Sequence, residues 1–236
     1  MIYNFIFFLI FGILSMVIFM NKRNLLKFII KTILVFILFN YSWLFQLIPV
    51  FLFNIDVANI SESTNVLLSA FSSFILAIIL YFIYRNDIKN EFKKFKDNIS
   101  TNLDIGLRYW FIGVVAMMFF NCIINIVFKS GQAGNEQAVQ SMIGALPWMM
   151  LINAGILAPW NEELVFRKSL KDVFKNKWLF VLVSGILFGL AHVLGNTQVW
   201  SDWLFILPYG SLGAAFAACY YAVSYTHLTL PTMAVV

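Results

Sequence analysis

The sequence has few charged residues, only two histidines and only two cysteines. Charged residues make up 11% of the 236 residues, against 61% hydrophobic residues and a mean hydropathy of +0.85. A soluble fold of this length does not need so much apolar surface, so the composition excludes an ordinary soluble protein. Cys122 and Cys219 have no paired spacing, which argues against a disulfide framework and against a thiolate metal site.

Long apolar runs fill most of the chain. Each is near or above the roughly 20 residues with which a helix crosses hydrocarbon, and none alternates at the period of two that a barrel strand needs. We therefore predict an all-α fold, a polytopic transmembrane helical bundle of about seven spans. The predicted spans are residues 2–20, 28–53, 66–84, 105–128, 142–157, 178–194 and 203–221.

The basic residues are distributed unevenly over the predicted loops. Fifteen of the 16 Lys and Arg residues follow the first, third and fifth runs, and Lys129 alone lies on the other side. This bias explains the net charge of +5 better than nucleic-acid binding does, and it predicts cytoplasmic loops and an extracytoplasmic N-terminus. Residues 85–104 carry Phe92, Phe95 and Ile99 between lysines, which predicts an amphipathic helix in a cytoplasmic loop, lying on the membrane surface.

One short motif places charged residues directly after the fifth apolar run. Pro159 is expected in the first turn of a helix that begins near Ala158. On that helix Glu163 and Arg167 are four residues apart and share a face, so we expect an ion pair. Glu162 lies about 100° further around the helix and has no such partner. Ionisable residues at a membrane boundary are functional candidates.

A histidine in the next apolar run completes the candidate site. His192 follows Phe188 by one helical turn, and we expect it at the same depth as Glu162, in the cytoplasmic half of the two helices. A carboxylate and an imidazole at one depth can activate a water. We therefore predict Glu162 and His192 as catalytic residues, and Glu163, Arg167 and Phe188 as supporting residues.

These residues resemble the first two signature motifs of the intramembrane CAAX-protease and bacteriocin-processing family, also called the abortive-infection family. The motifs are Glu-Glu-x-x-x-Arg and Phe-x-x-x-His, and the similarity covers roughly residues 141–221. The resemblance implies a multi-pass protease of a bacterial membrane that cleaves membrane-associated, in some cases lipidated, peptides or proteins. It also implies that Glu162 is the catalytic glutamate, that His192 is its partner at the water, and that Glu163 with Arg167 is the supporting pair.

The resemblance ends before the family's third motif, a later histidine followed four residues on by asparagine or aspartate. Here the later histidine is His227, and Pro231 stands four residues after it. Residues from about Val223 onward also lack the Lys and Arg of a cytoplasmic loop. We therefore expect N-terminal helices over 1–140, a partial CAAX-protease-like core over 141–222, and a non-native tail over 223–236, either foreign or out of frame.

The sequence leaves the cofactor and two other functions open. The family resemblance makes zinc possible, and Glu162, His192 and in principle Glu163 are the available ligands. Catalytic zinc takes about three protein ligands, so without the third motif we favour a water activated by Glu162 and His192 alone. The alternatives are a non-catalytic immunity or scaffold protein of the same fold, or a small proton-coupled transporter, which the lack of a visible internal repeat disfavours.

Overall fold

Helices form every regular element in the part of the chain that the structure describes. The computed structural model gives the backbone of residues 22–128, 133–195, 197 and 199–233, and the side chains of 25–93, 95–128, 133–195, 197 and 199–224. The all-α prediction is confirmed. The helices are α1 (Lys22–Asn40), α2 (Leu47–Leu52), α3 (Glu62–Asp97), α4 (Ile99–Phe128), α5 (Gly134–Ala145), α6 (147–173), α7 (Lys177–Val193) and α8 (Ile206–Met233).

Three stretches of helix among the described residues are long and apolar enough to cross a membrane. They are α3, α4 and Trp200–Ser224, which combines a 3-10 turn with the first part of α8. The pair Leu25–Asn40 and Ser42–Leu52 makes a fourth if it counts as one span, although it is bent by 49°. The protein is therefore a multi-pass membrane protein. The count of seven spans and the orientation stay predictions, and the first predicted span lies outside the described residues.

Residues 85–104, predicted to form a short amphipathic helix on the membrane surface, are helical but belong to two longer helices. α3 continues through the basic residues to Asp97, and α4 begins at Ile99 after the single non-helical residue Asn98. Residues 85–97 contain neither glycine nor proline and are rich in lysine and glutamate or aspartate, so nothing in them stops a helix. α3 therefore extends well beyond the apolar segment that it carries.

The helix that carries the glutamates begins earlier than the sequence predicts. α6 starts at Pro147, which stands in its first turn, rather than near Ala158. Pro159 therefore lies inside the helix, directly after a π-helical stretch, Asn153–Leu157. A proline ring clashes with the carbonyl group four residues earlier, and a wider turn relieves that clash. The predicted span 142–157 is thus divided between the end of α5 and the start of α6.

Glycines let α7 and α8 approach to backbone contact. A Cβ atom at Gly189 would lie 2.6 Å from the carbonyl oxygen of Ile206, and one at Gly185 would lie 2.8 Å from that of Gly210. Small residues commonly allow such close packing between membrane helices. α7 is therefore fixed between α8 on this side and the buried residues of α6, including Phe166, on the other.

Candidate active site

Glu162 and His192 face each other between α6 and α7. Nε2 of the imidazole lies 3.9 Å from Oε1 of the carboxylate, and the two side chains are only 20% and 24% exposed, histidine first. This separation is too long for a direct hydrogen bond, but it leaves room for one water about 2.8 Å from each atom. The structure thus brings together the two residues that the motifs single out.

The other ring nitrogen of His192 is bound to the backbone. Nδ1 lies 2.9 Å from the carbonyl oxygen of Phe188. A carbonyl oxygen only accepts hydrogen bonds, so Nδ1 is the donor, and in the neutral ring Nε2 carries the lone pair. Nε2 therefore faces Glu162 as an acceptor, and a water between the two groups can donate one hydrogen to each.

Two aromatic rings contact the imidazole. The ring centre of Phe188 is 4.3 Å away, and Tyr209 from α8 stacks on the imidazole at 4.8 Å with an interplanar angle of 25°. Neither motif contains Tyr209, which belongs to another helix, so sequence reasoning does not find it. Its one signal is its position near the start of the following apolar run, at the same end of the bundle as His192.

Glu163 points to a different partner. Its Oε2 lies 3.6 Å from Nε of Arg167, which is the ion pair that their spacing predicts. The guanidinium is 1% exposed, and its Cζ atom lies 4.6 Å from the centre of the Phe188 ring. Among the described residues, neither Nε nor Nη2 of Arg167 has a hydrogen-bond partner. The buried positive charge therefore depends on Glu163 and on the aromatic ring for its stabilisation.

A second π-helical stretch, Glu163–Lys168, directly follows Glu162. Hydroxyl groups of neighbouring helices bind carbonyl oxygens in and just after this stretch. Ser184 of α7 donates to Phe166 at 2.7 Å, and Thr32 of α1 donates to Ser169 at 3.0 Å. Such bonds satisfy carbonyl groups that irregular turns free in membrane helices. π-turns of this kind occur frequently at functional sites.

Polar contacts from α3 fix α6 on either side of this stretch. Asn161 is buried, and its Nδ2 donates to the carbonyl oxygen of Ser73 at 2.9 Å. Lys168 is also buried, and its Nζ lies 2.8 Å from Asp172 and 3.7 Å from Asp87 of α3. The backbone that carries Glu162 is thus held at both ends.

The Glu162–His192 pair lies far from the basic turn between α6 and α7. His192 stands in the last turn of α7, about 22 Å from Lys177 at 1.5 Å per residue. By the same rule Glu162 lies about 16 Å before the end of α6. The expectation of a site in the cytoplasmic half stays a prediction, as the orientation of the chain does.

The described residues do not fit a protein-bound zinc ion. Among them no group of three or more His, Cys, Asp and Glu side chains is placed to hold one metal ion, whereas catalytic zinc takes about three protein ligands. Nδ1 of His192 is engaged with the backbone and Glu163 with Arg167. Glu162 and His192 thus offer two possible metal ligands, too few for catalytic zinc, and two hydrogen-bond acceptors, which suffice to hold a water. The side chain of His227 lies outside the described residues.

Cavities of different size border this region. A groove of about 930 Å³ runs between α3 and α6, where Glu163 and Trp160 line it and Glu162 does not. A small cavity of about 10 Å³ adjoins His192 and is lined in part by Asn135 and Asp202. Its volume is close to that needed for one water. Water therefore has a place next to the imidazole, while the larger groove lies along another part of α6.

These features define a class of protein: a multi-pass helical membrane protein with a mostly buried glutamate–histidine pair between adjacent helices. Residues 144–235 match the family model described as "Type II CAAX prenyl endopeptidase Rce1-like". The segment contains both motifs, and the recognition made from them is confirmed. The match continues into residues 223–235, which the sequence suggests to be non-native, and that suggestion stays a prediction.

Curated relatives agree with this family. The chain is 26% identical to a Bacillus subtilis protein named "Putative membrane peptidase YdiL", over 70% of this chain and 68% of that protein. It is 24% identical to "UPF0177 protein YajF" of Lactococcus lactis, over 56% of this chain and 82% of the relative. It is 29% identical to "UPF0177 protein YxdF" of the same bacterium, over 40% and 57% of the two chains. No solved structure gives a significant match.

Proposed function

We propose that this chain is an intramembrane endopeptidase of a bacterial cell membrane. Its substrates are membrane-associated peptides or proteins, lipidated ones included. The observation that carries the proposal is the 3.9 Å separation between Oε1 of Glu162 and Nε2 of His192, with Nδ1 of the same ring bound to a carbonyl group. The Rce1-like match and the relative named as a membrane peptidase support the same class of reaction.

A water held by Glu162 and His192 is the nucleophile in this proposal. Glu162 accepts one proton of the water as the oxygen attacks the carbonyl carbon of the scissile peptide bond. Nε2 of His192 accepts the second hydrogen bond and orients the water. Glu162 then returns the proton to the nitrogen as the C–N bond breaks, which leaves a carboxyl group and an amine.

The other motif residues act on this pair without touching the water. Arg167 and Phe188 connect α6 to α7 through the contact of the guanidinium with the ring. Phe188 also supplies the carbonyl oxygen that binds the imidazole. Glu163 compensates the charge of Arg167, which keeps the helix turn after Glu162 in place.

Cleavage by the purified full chain in lipid vesicles tests the proposal. The substrates are a panel of fluorogenic peptides with an apolar membrane segment, and the products are identified by mass spectrometry. We expect Glu162→Gln and His192→Gln to lower kcat at least about 100-fold, the contribution typical of a positioned acid or base. Glu62→Gln is the matched control, because Glu62 is exposed at the start of α3 and remote from the pair in the chain. Its rate should equal that of the wild type.

Two results would contradict the proposal. Wild-type activity in Glu162→Gln would remove this carboxylate from the chemistry. A folded wild-type chain that cleaves no peptide of the panel would favour the non-catalytic immunity or scaffold role. The unmatched third motif is the observation that supports this alternative. Thermal unfolding of each variant, measured in the same detergent, separates loss of chemistry from loss of fold.

A further inference from the structure

Tyr209 contacts the imidazole of His192 from outside both motifs. Its ring stacks on that of His192, with 4.8 Å between the ring centres. The side chain of Asn135, in the first turn of α5, lies near its hydroxyl group and lines the small cavity next to His192. Tyr209 of α8 thus adjoins residues of α5 and α7 beside the histidine.

The backbone around Tyr209 leaves it little room to move away from the histidine. The next residue, Gly210, lies against α7, and its N atom would be 3.0 Å from a Cβ atom placed at Gly189. His192 follows Gly189 by three residues on the same helix. The two aromatic side chains are therefore attached to backbone segments that are already in contact, and their relative position is fixed by packing rather than by flexible side chains alone.

The imidazole needs a support of this kind. The hydrogen bond from Nδ1 to Phe188 restrains χ2, but it is a single bond, and rotation about χ2 turns Nε2 away from Glu162 whenever that bond opens. A stacked aromatic ring restricts that rotation.

We propose that Tyr209 is a positioning residue whose ring keeps Nε2 of His192 directed at Glu162. Its effect on cleavage rests on the proposed function, whereas its effect on the imidazole does not. The geometry of His192 can therefore be tested without a substrate.

The tautomer of His192 gives the test that is independent of activity. The chain has two histidines, so a His227→Gln background, purified with a histidine-free tag, leaves His192 as the only imidazole. We expect the ¹⁵N spectrum of labelled histidine to show the form protonated at Nδ1. Tyr209→Phe keeps the ring and should keep that spectrum, whereas Tyr209→Leu should give averaged signals of two tautomers. Tyr220→Leu is the matched control, because Tyr220 lies on the same helix and bonds Glu91 instead.

Kinetics on the same residues supply the second readout. Tyr209→Leu should lower kcat about tenfold with KM unchanged, since a misplacement near 1 Å suffices for an effect of this size or larger. Tyr209→Phe keeps the stacked ring and should therefore lower kcat less than Tyr209→Leu does.

The outcomes separate this inference from the proposed function. A wild-type histidine spectrum in Tyr209→Leu would overturn the positioning role, whatever the cleavage rates are. The same would follow if Tyr220→Leu changed the spectrum as strongly, because the effect would then be general loosening. A changed spectrum in Tyr209→Leu alone, together with no cleavage by any form of the chain, would support the positioning role and refute the peptidase.

Discussion

Replacement of Gly189 by alanine should force α7 away from α8 and displace the histidine. The new Cβ atom would lie 2.6 Å from the carbonyl oxygen of Ile206 and 3.0 Å from the N atom of Gly210. Both are backbone atoms, so no side chain can rotate to make room. Ordinary contact begins near 3.4 Å, and the helices must separate by about 0.8 Å. That shift acts one turn before His192.

The cost in stability follows from two opposing effects. Overpacking of a well-packed interior costs about 1–3 kcal/mol, and alanine gains up to about 1 kcal/mol over glycine inside a helix. The net loss for Gly189→Ala should be about 1–2 kcal/mol. Gly106→Ala is the matched control, because it is also helical and a Cβ atom there meets nothing within 4 Å. It should leave stability unchanged or raise it by up to about 1 kcal/mol.

Thermal unfolding in one detergent and peptide cleavage measure the two consequences. Gly189→Ala should unfold at a lower temperature than Gly106→Ala, and its kcat should fall about tenfold or more because the histidine moves relative to Glu162. Equal unfolding temperatures for the two variants would refute the argument that backbone contact between α7 and α8 defines the site. Loss of stability with a wild-type kcat would refute only the step from packing to catalysis.

Three further substitutions test other contacts of α6 and α7. Glu163→Gln should lower the free energy of unfolding, because it leaves the buried Arg167 without its ion-pair partner. The expected loss is only about 1–3 kcal/mol, because the carboxylate is 45% exposed and solvent screens the pair. Lys168→Met should lower the free energy of unfolding by about 1–2 kcal/mol, because three carboxylates lose the cation that they share. Arg108→Met breaks an exposed pair and should cost less than about 0.5 kcal/mol. Thermal or denaturant unfolding measures each of these, and equal losses for the two cations would contradict the role given to burial. Asn161→Leu should slow cleavage but change the unfolding temperature little. It removes the bond to α3, which destabilises the fold, and also a buried side-chain carbonyl group that has no partner among the described residues, which offsets that loss. A large loss of stability at a wild-type rate would show the reverse.

Hydropathy and charge were sufficient to predict the helical, multi-pass fold, because each apolar run must satisfy its own backbone in lipid. The spacing of the first motif was sufficient to predict that its two glutamates have different partners, since side chains of consecutive helix residues point about 100° apart. Glu163 therefore meets Arg167, and Glu162 is left to face His192. These are consequences of local geometry, which a sequence shows directly.

Features that depend on the packing of several helices could not be predicted in this way. The π-helical stretches of α6 have no periodicity of their own, so Pro159 indicates a helix start at a point where the helix in fact continues. Tyr209 could not be found, since its contact with His192 exists only because Gly189 and Gly210 let two helices touch.

The π-helical stretch after Glu162 accounts for the way in which the two motifs are connected. Its backbone bonds run from each residue to the fifth one along, so a residue four positions on falls short of a full turn. The ion pair between Glu163 and Arg167 is accordingly long, at 3.6 Å, and the guanidinium lies over the ring of Phe188. Because the carbonyl oxygen of Phe188 binds His192, the contacts run from the second glutamate through the arginine and phenylalanine to the histidine that faces the first glutamate. In the proposed mechanism the first motif thus helps to position the histidine of the second, although its supporting residues contact no water.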